Sequence, residues 1–145
     1  MPTVNLAQAD QIITAALAHG RAAGMKPLTV VVLDSGGHVV ALKREDNSSL
    51  MRPQIATGKA WGTLALGMGC RDIAKRAAVA PAFIGSLSDM SGGKVVPVPG
   101  GVLIKDANGQ IVGAVGVTGD LSENDEACAI AGIQKAGLMA DAGSV

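Results

Sequence analysis

The sequence predicts one α+β domain in which an antiparallel sheet is flanked by helices, in the order helix-hairpin-helix-helix-hairpin-helix. Two pairs of β-branched, apolar runs are each joined by a tight-turn signal: Ser35-Gly36-Gly37-His38 in the first and Asp106-Ala107-Asn108-Gly109 in the second. Stretches with apolar residues at helical spacing precede, separate and follow these pairs. At 145 residues, with no internal repeat and no long linker, residues 1–145 form a single unit large enough to bury a core without disulfides.

Asn5 and Gln8 have the spacing of a capping box and open the first helix. Leu6, Ala9, Ile13, Ala16, Leu17 and Gly20 then give one apolar stripe, and Gly24 with Pro27 stops it, so the helix covers Leu6 to Ala23. Leu28–Asp34 and Val39–Arg44 form the first hairpin. A second helix runs from Ser49 or Arg52 to Met68, with Pro53 near its start, where a missing amide costs little. Its glycines at 58, 62 and 67 leave the surface bare, which requires something to approach closely, because each interior glycine costs about 1 kcal/mol relative to alanine. Arg71–Val79 is the third helix and ends at Pro81; Phe83–Gly101 reads as irregular, with Val95-Val96 a short edge strand. Val102–Lys105 and Gln110–Thr118 form the second hairpin. The last helix starts near Ser122, with Asp125 and Glu126 favouring its positive end, and reaches Ala142.

Twelve basic and twelve acidic residues leave a formal net charge of +0, so no basic stripe exists to hold a phosphate backbone. Trp61 and Phe83 are the only aromatics, too few for stacking bases; nucleic acid is excluded as a partner. No apolar run is long enough to span a membrane, and MPTVNLAQAD lacks the features of a signal peptide, which points to the cytoplasm. Cys70 and Cys128 fit neither a disulfide framework nor a metal or redox spacing and read as buried free thiols. The mean hydropathy of +0.36 is high for so small a domain. Subunit contact covers the surplus apolar surface, so a homo-oligomer built from dimers is expected.

Four ordered stretches resemble the GlcG/HbpS family, which includes the C-terminal domain of PduO-type adenosyltransferases. They are Val31–Ala41 (VVLDSGGHVVA) with Arg44 and Asp46; Ile55-Ala56 with Lys59-Ala60; Pro97–Val102 (PVPGGV); and Val112–Gly119 (VGAVGVTG) followed by Asp125-Glu126. The resemblance implies an antiparallel sheet with flanking helices, oligomeric assembly and a ligand pocket. Some members bind haem or another tetrapyrrole, and many belong to catabolic gene clusters without an established activity. The family's usual Arg-Met-Asp-Gly-Ala is here Arg44-Glu45-Asp46-Asn47-Ser48, Leu103 stands where a proline is expected, and Asp120 where a small residue is common. This extra charge disfavours haem.

Lys59 is the only charge between Pro53 and Gly69, and Arg52 lies two turns earlier on the same helix face. Either both snorkel to solvent or they form a cationic pair that binds a carboxylate. Arg44 either pairs with Asp46 or joins that cationic site. His38, after a glycine turn, is either solvated or an axial ligand; His19, late in the first helix, reads as a surface residue. Asp125 and Glu126 either favour a helix start or supply a general base. Gly100 and Gly101 form a turn or an anion-binding nest. The favoured function is an oligomeric protein that binds a small carboxylate or oxygenated aromatic of a catabolic pathway, with His38, Asp46, Arg52, Gly100 and Gly101 at the ligand and no metal. The alternatives are a small lyase, isomerase or hydrolase using Lys59, Arg44 and Glu126, and a haem-binding protein.

Overall fold

The computed structural model describes residues 2–144. Five helices, α1 (Leu6–Ala22), α2 (Arg52–Leu66), α3 (Cys70–Val79), α4 (Pro81–Met90) and α5 (Ser122–Lys135), surround one sheet. Its strands are β1 (Thr29–Asp34), β2 (Val39–Arg44), β3 (Gly101–Lys105), β4 (Ile111–Thr118) and β5 (Met139–Asp141). The order across the sheet is β2-β1-β4-β3-β5, with every neighbouring pair antiparallel. Asn5 and Gln8 close the expected capping box through reciprocal bonds of 2.8 and 3.0 Å.

Alternation along each strand sorts the core into two layers. Val30, Val32, Val102, Ile104, Val115 and Val117 face α1 and α5 and meet Ile12, Ile13, Ala129 and Ile133. Val31, Leu33 and Ala114 face the opposite way, onto Ala56 and Ala60 of α2. A third cluster joins Cys70 and Ile73 of α3 to Ile84 of α4 and to Val95. Among the described residues, no helix is long and apolar enough to cross a membrane.

The small residues explain how α2 lies so close to the sheet. A Cβ at Gly116 would overlap the Ala56 carbonyl, and one at Gly101 would overlap the Lys59 carbonyl. On the other side of α2, Val96 fills the space left by Gly58 and Val95 that left by Gly62.

Three expectations are corrected. Pro81 does not merely end α3; it occupies the first turn of α4, so Phe83–Met90 is helical rather than irregular. Val95-Val96 is not an edge strand but plugs the α2 glycines. The last helix stops at Lys135, not Ala142, because Gly137 takes φ +76° and turns the chain back as β5 beside β3. The Lys105–Asp141 ion pair, at 2.7 Å, fastens β5, and this hydrogen bond holds the Asp141 carboxyl below its usual range.

Gly116→Ala is expected to destabilise the fold by about 3 kcal/mol, since its methyl meets backbone rather than a movable side chain. A urea-denaturation midpoint equal to that of the parent chain would refute the close contact of α2 and β4.

Candidate functional site

Lys59 does not snorkel. It is 2% exposed, and its Nζ donates to the Val117 carbonyl at 3.0 Å and to Asp125 Oδ2 at 3.1 Å. Asp125, in the first turn of α5, is 1% exposed, and its Oδ1 accepts from the Asp120 amide at 3.0 Å. Lys59 therefore starts in the α2 layer and ends on the α5 layer, passing the end of the sheet. Gly100, at φ +123°, makes the passage possible, because a side chain there would strike Lys59 Nζ at 2.8 Å and the Val117 carbonyl at 2.6 Å. Burial pushes the Asp125 carboxyl up in pKa, while Lys59 and the Asp120 amide oppose that rise.

A second pair borders the first. Glu126, also buried, is bonded through Oε1 to the Arg71 guanidinium, which its side-chain hydrogen bond holds in the charged form. Glu126 Oε2 is buried without a partner. The Cys70 thiol, next to Arg71, donates to the Lys59 carbonyl at 3.1 Å; burial pushes it up to about 12, so it is no nucleophile at neutral pH. Cys128 is likewise a buried free thiol, pushed up to about 11. Lys59, Asp125 and Gly100 thus meet in a closed polar cluster, with Gly101 against the Lys59 backbone and the Glu126–Arg71 pair at its border.

Arg44 and Asp46 lie elsewhere, lining a shallow depression of about 470 Å³ with Arg21, Pro27, Glu45 and Asn47. Arg44 makes no ion pair with Asp46; the acid that is paired there is Glu45, 3.0 Å from Arg21. Arg52 does not pair with Lys59. It donates to Thr118 Oγ1 at 2.8 Å and to Ser49 Oγ at 3.1 Å. His38, with a side chain 81% exposed, leans on Asp34 at 3.3 Å at the tip of the first hairpin.

The largest groove described is one that sequence reasoning missed. It has a volume of about 800 Å³ and lies on the outside of α1 and α5, lined by Thr14, Ala15, Ala18, His19, Ala131 and other residues, with Lys43 and Lys135 also in its wall. Its signal in the sequence is the set Thr14, Ala15 and Ala18, a second stripe of small side chains on the face of α1 opposite its core stripe. Among the described residues, no cluster of three or more His, Cys, Asp or Glu side chains could hold a metal ion.

A model of the family described as Haem degrading protein HbpS-like matches residues 4–134, and the chain belongs to that family. Among solved structures, Klebsiella pneumoniae protein ORFY superposes with a TM-score of 0.85 at 26% identity, covering 94% of this chain and 92% of that one. HbpS superposes with a TM-score of 0.80 at 27% identity, covering 92% and 90%. A PduOC:heme complex has the same fold, with a TM-score of 0.81 at 23% identity, covering 92% and 94%. No curated protein matches.

Removing one partner of the buried pair leaves a charge in the interior, so Lys59→Met is expected to cost about 3–5 kcal/mol. The double variant Lys59→Met, Asp125→Leu is expected to recover most of that loss. Chemical denaturation checks both; equal stability of Lys59→Met and the parent would show that the pair does not tie the layers together.

Proposed function

We propose that this member of the family is an oligomeric small-molecule-binding protein whose ligand is an aromatic-sized carboxylate held in the groove on α1 and α5. The observation that carries this reading is the make-up of that groove: small side chains at Ala15, Ala18 and Ala131 beside two lysines, Lys43 and Lys135, against a single acid, Asp10. Small residues leave flat space for an apolar plate, and lysines suit the carboxylates of a ligand. A cytoplasmic setting, where thiols stay reduced, suits the two free cysteines.

The site expected around Lys59 supports binding less well. Its ammonium and the Glu126 carboxylate are engaged by Asp125 and Arg71, and neither Lys59 nor Glu126 lines any of the grooves described above. A lyase, isomerase or hydrolase using Lys59, Arg44 and Glu126 would first have to break these buried pairs.

Haem is the second reading, and His19 favours it. The exposed imidazole stands in the same groove as the two lysines, so a nitrogen ligand and cationic partners for the carboxylates would come from one surface. The family description and the PduOC:heme complex support this alternative. His38, solvated at a hairpin tip, fits poorly. Bound haem would supply redox-active iron, and His19, Lys43 and Lys135 are the residues that would hold it.

Two titrations separate these ligands. Benzoate is expected to bind in calorimetry and to lose at least about tenfold in affinity in Lys43→Met, Lys135→Met. Haem is expected to give no Soret shift that depends on His19. A stoichiometric shift abolished by His19→Ala would replace the aromatic carboxylate with haem; benzoate binding untouched by the double variant would remove the groove.

Assembly follows from what one protomer leaves exposed. Val79 is 87% exposed, Met90 79% and Phe83 55%, all on α3 and α4, where only Ile84 of α4 is buried. A homo-oligomer built from dimers through this apolar surface is expected. Light scattering at micromolar concentration checks it, and a monomer there would overturn the assembly.

A further inference from the structure

We infer that the end of the sheet beneath α2 carries a second, separate binding site, for a small oxyanion, built from Arg52, Arg44, Thr29 and Thr118. Register places these groups together. Arg44 of β2 pairs with Thr29 of β1, and Thr29 pairs with Thr118 of β4, so the three stand in a row across neighbouring strands. Paired residues in an antiparallel ladder point to the same face, with Cα atoms about 4.5–5.5 Å apart. That face is the α2 side, since Val31 and Leu33, two and four residues beyond Thr29, pack on α2. Arg52, in the first turn of α2, reaches the same row and donates to Thr118 Oγ1.

Two independent observations point to a ligand. Among the described residues, neither Arg44 nor Arg52 makes an ion pair with a carboxylate, although Arg52 is half-buried and fixed in place by two hydroxyls. A guanidinium held in a defined orientation without a counter-charge retains free donors suited to a planar oxyanion. Separately, Thr29 is 0% exposed, and its Oγ1 has no hydrogen-bond partner. A buried hydroxyl is ordinarily satisfied, so one kept without a partner in the same cross-strand row as Arg44 and as Thr118, to which Arg52 is bonded, calls for an explanation, and a ligand oxygen supplies it. The nearby acids do not quench the charge: Glu45 is taken by Arg21 and by the Leu28 amide, and Asp46 makes no ion pair.

The site makes a paired demand that a purely structural role does not. Thr29→Val removes a buried polar atom that has no partner, so the ligand-free protein is expected to melt about 2–4 °C higher. The same change removes a donor to the ligand, so affinity falls. Calorimetric titration with succinate, and separately with inorganic phosphate, measures the second effect and tells whether carboxylate or phosphate is the better occupant. Arg52→Met is expected to lower affinity for the better probe at least about tenfold, and Arg52→Lys, which keeps the charge but not the fork, to lower it too. If Arg52→Met fails to fold, Arg52→Lys carries the test. Binding of neither probe, affinity unaffected by the Arg52 variants, or a lower melting temperature in Thr29→Val would each overturn the site.

Discussion

Lys59 crosses from one helical layer to the other at the end of the sheet, and the arrangement of α2, β4 and α5 depends on that crossing. Its backbone lies against Gly101, its side chain passes Gly100, and its ammonium ends between the C-terminal end of β4 and the first turn of α5. Three segments far apart in the chain are thereby tied to one charge. A hydrophobic contact at this place would fill the space but would accept many orientations. An ammonium that must find both a carbonyl and a carboxylate accepts few, so the pair specifies how the layers meet even where its net contribution to stability is small.

The glycines belong to the same constraint. Close approach of α2 requires bare positions on β3 and β4, and the passage of Lys59 requires one more at Gly100. Once α2 is that close, its own outward glycines need cover, which Val95 and Val96 provide. The segment between α4 and β3 is therefore irregular for a reason: it follows the surface of a helix instead of pairing with a strand. Glu126 and Arg71 extend the polar cluster toward α3, and the carbonyl of Ala142 accepts from the Arg71 amide, so the C-terminal segment closes the same corner.

Much of this was legible because local chemistry dictated it. The Gly-Gly and Asn-Gly turns needed no tertiary information, nor did the capping box of α1. Lys59 stood out as a lone charge in a bare helix, and the glycines around it foretold a close neighbour. Its partner did not stand out, because Asp125 looks the same whether it favours a helix start or neutralises a lysine from another layer. β5 was hidden for a related reason: three residues form a strand only because β3 offers an edge. α4 was hidden because Pro81 serves equally as a stop and as a first-turn residue. The groove on α1 was overlooked because small exposed residues on a helix carry no signal until a second helix and a strand edge build its wall.

A core closed by glycine contacts and a buried ion pair has consequences for where function can reside. Each close approach removes space that a ligand would need, and the sheet has a helix on both faces. What remains are the outer faces of α1 and α5, the end of the sheet beside Arg52, and the apolar flank of α3 and α4. These surfaces are built from side chains such as Lys43, Thr14 and Val79 that the interior does not use, so they can change without disturbing the layers. In the reading proposed above, the fold is held by buried residues such as Lys59 and Asp125, and the ligand would be chosen largely by surface side chains. Thr29 is the exception: it is buried like a core residue, yet its hydroxyl is left without a partner, as expected of a position kept for binding at some cost to stability.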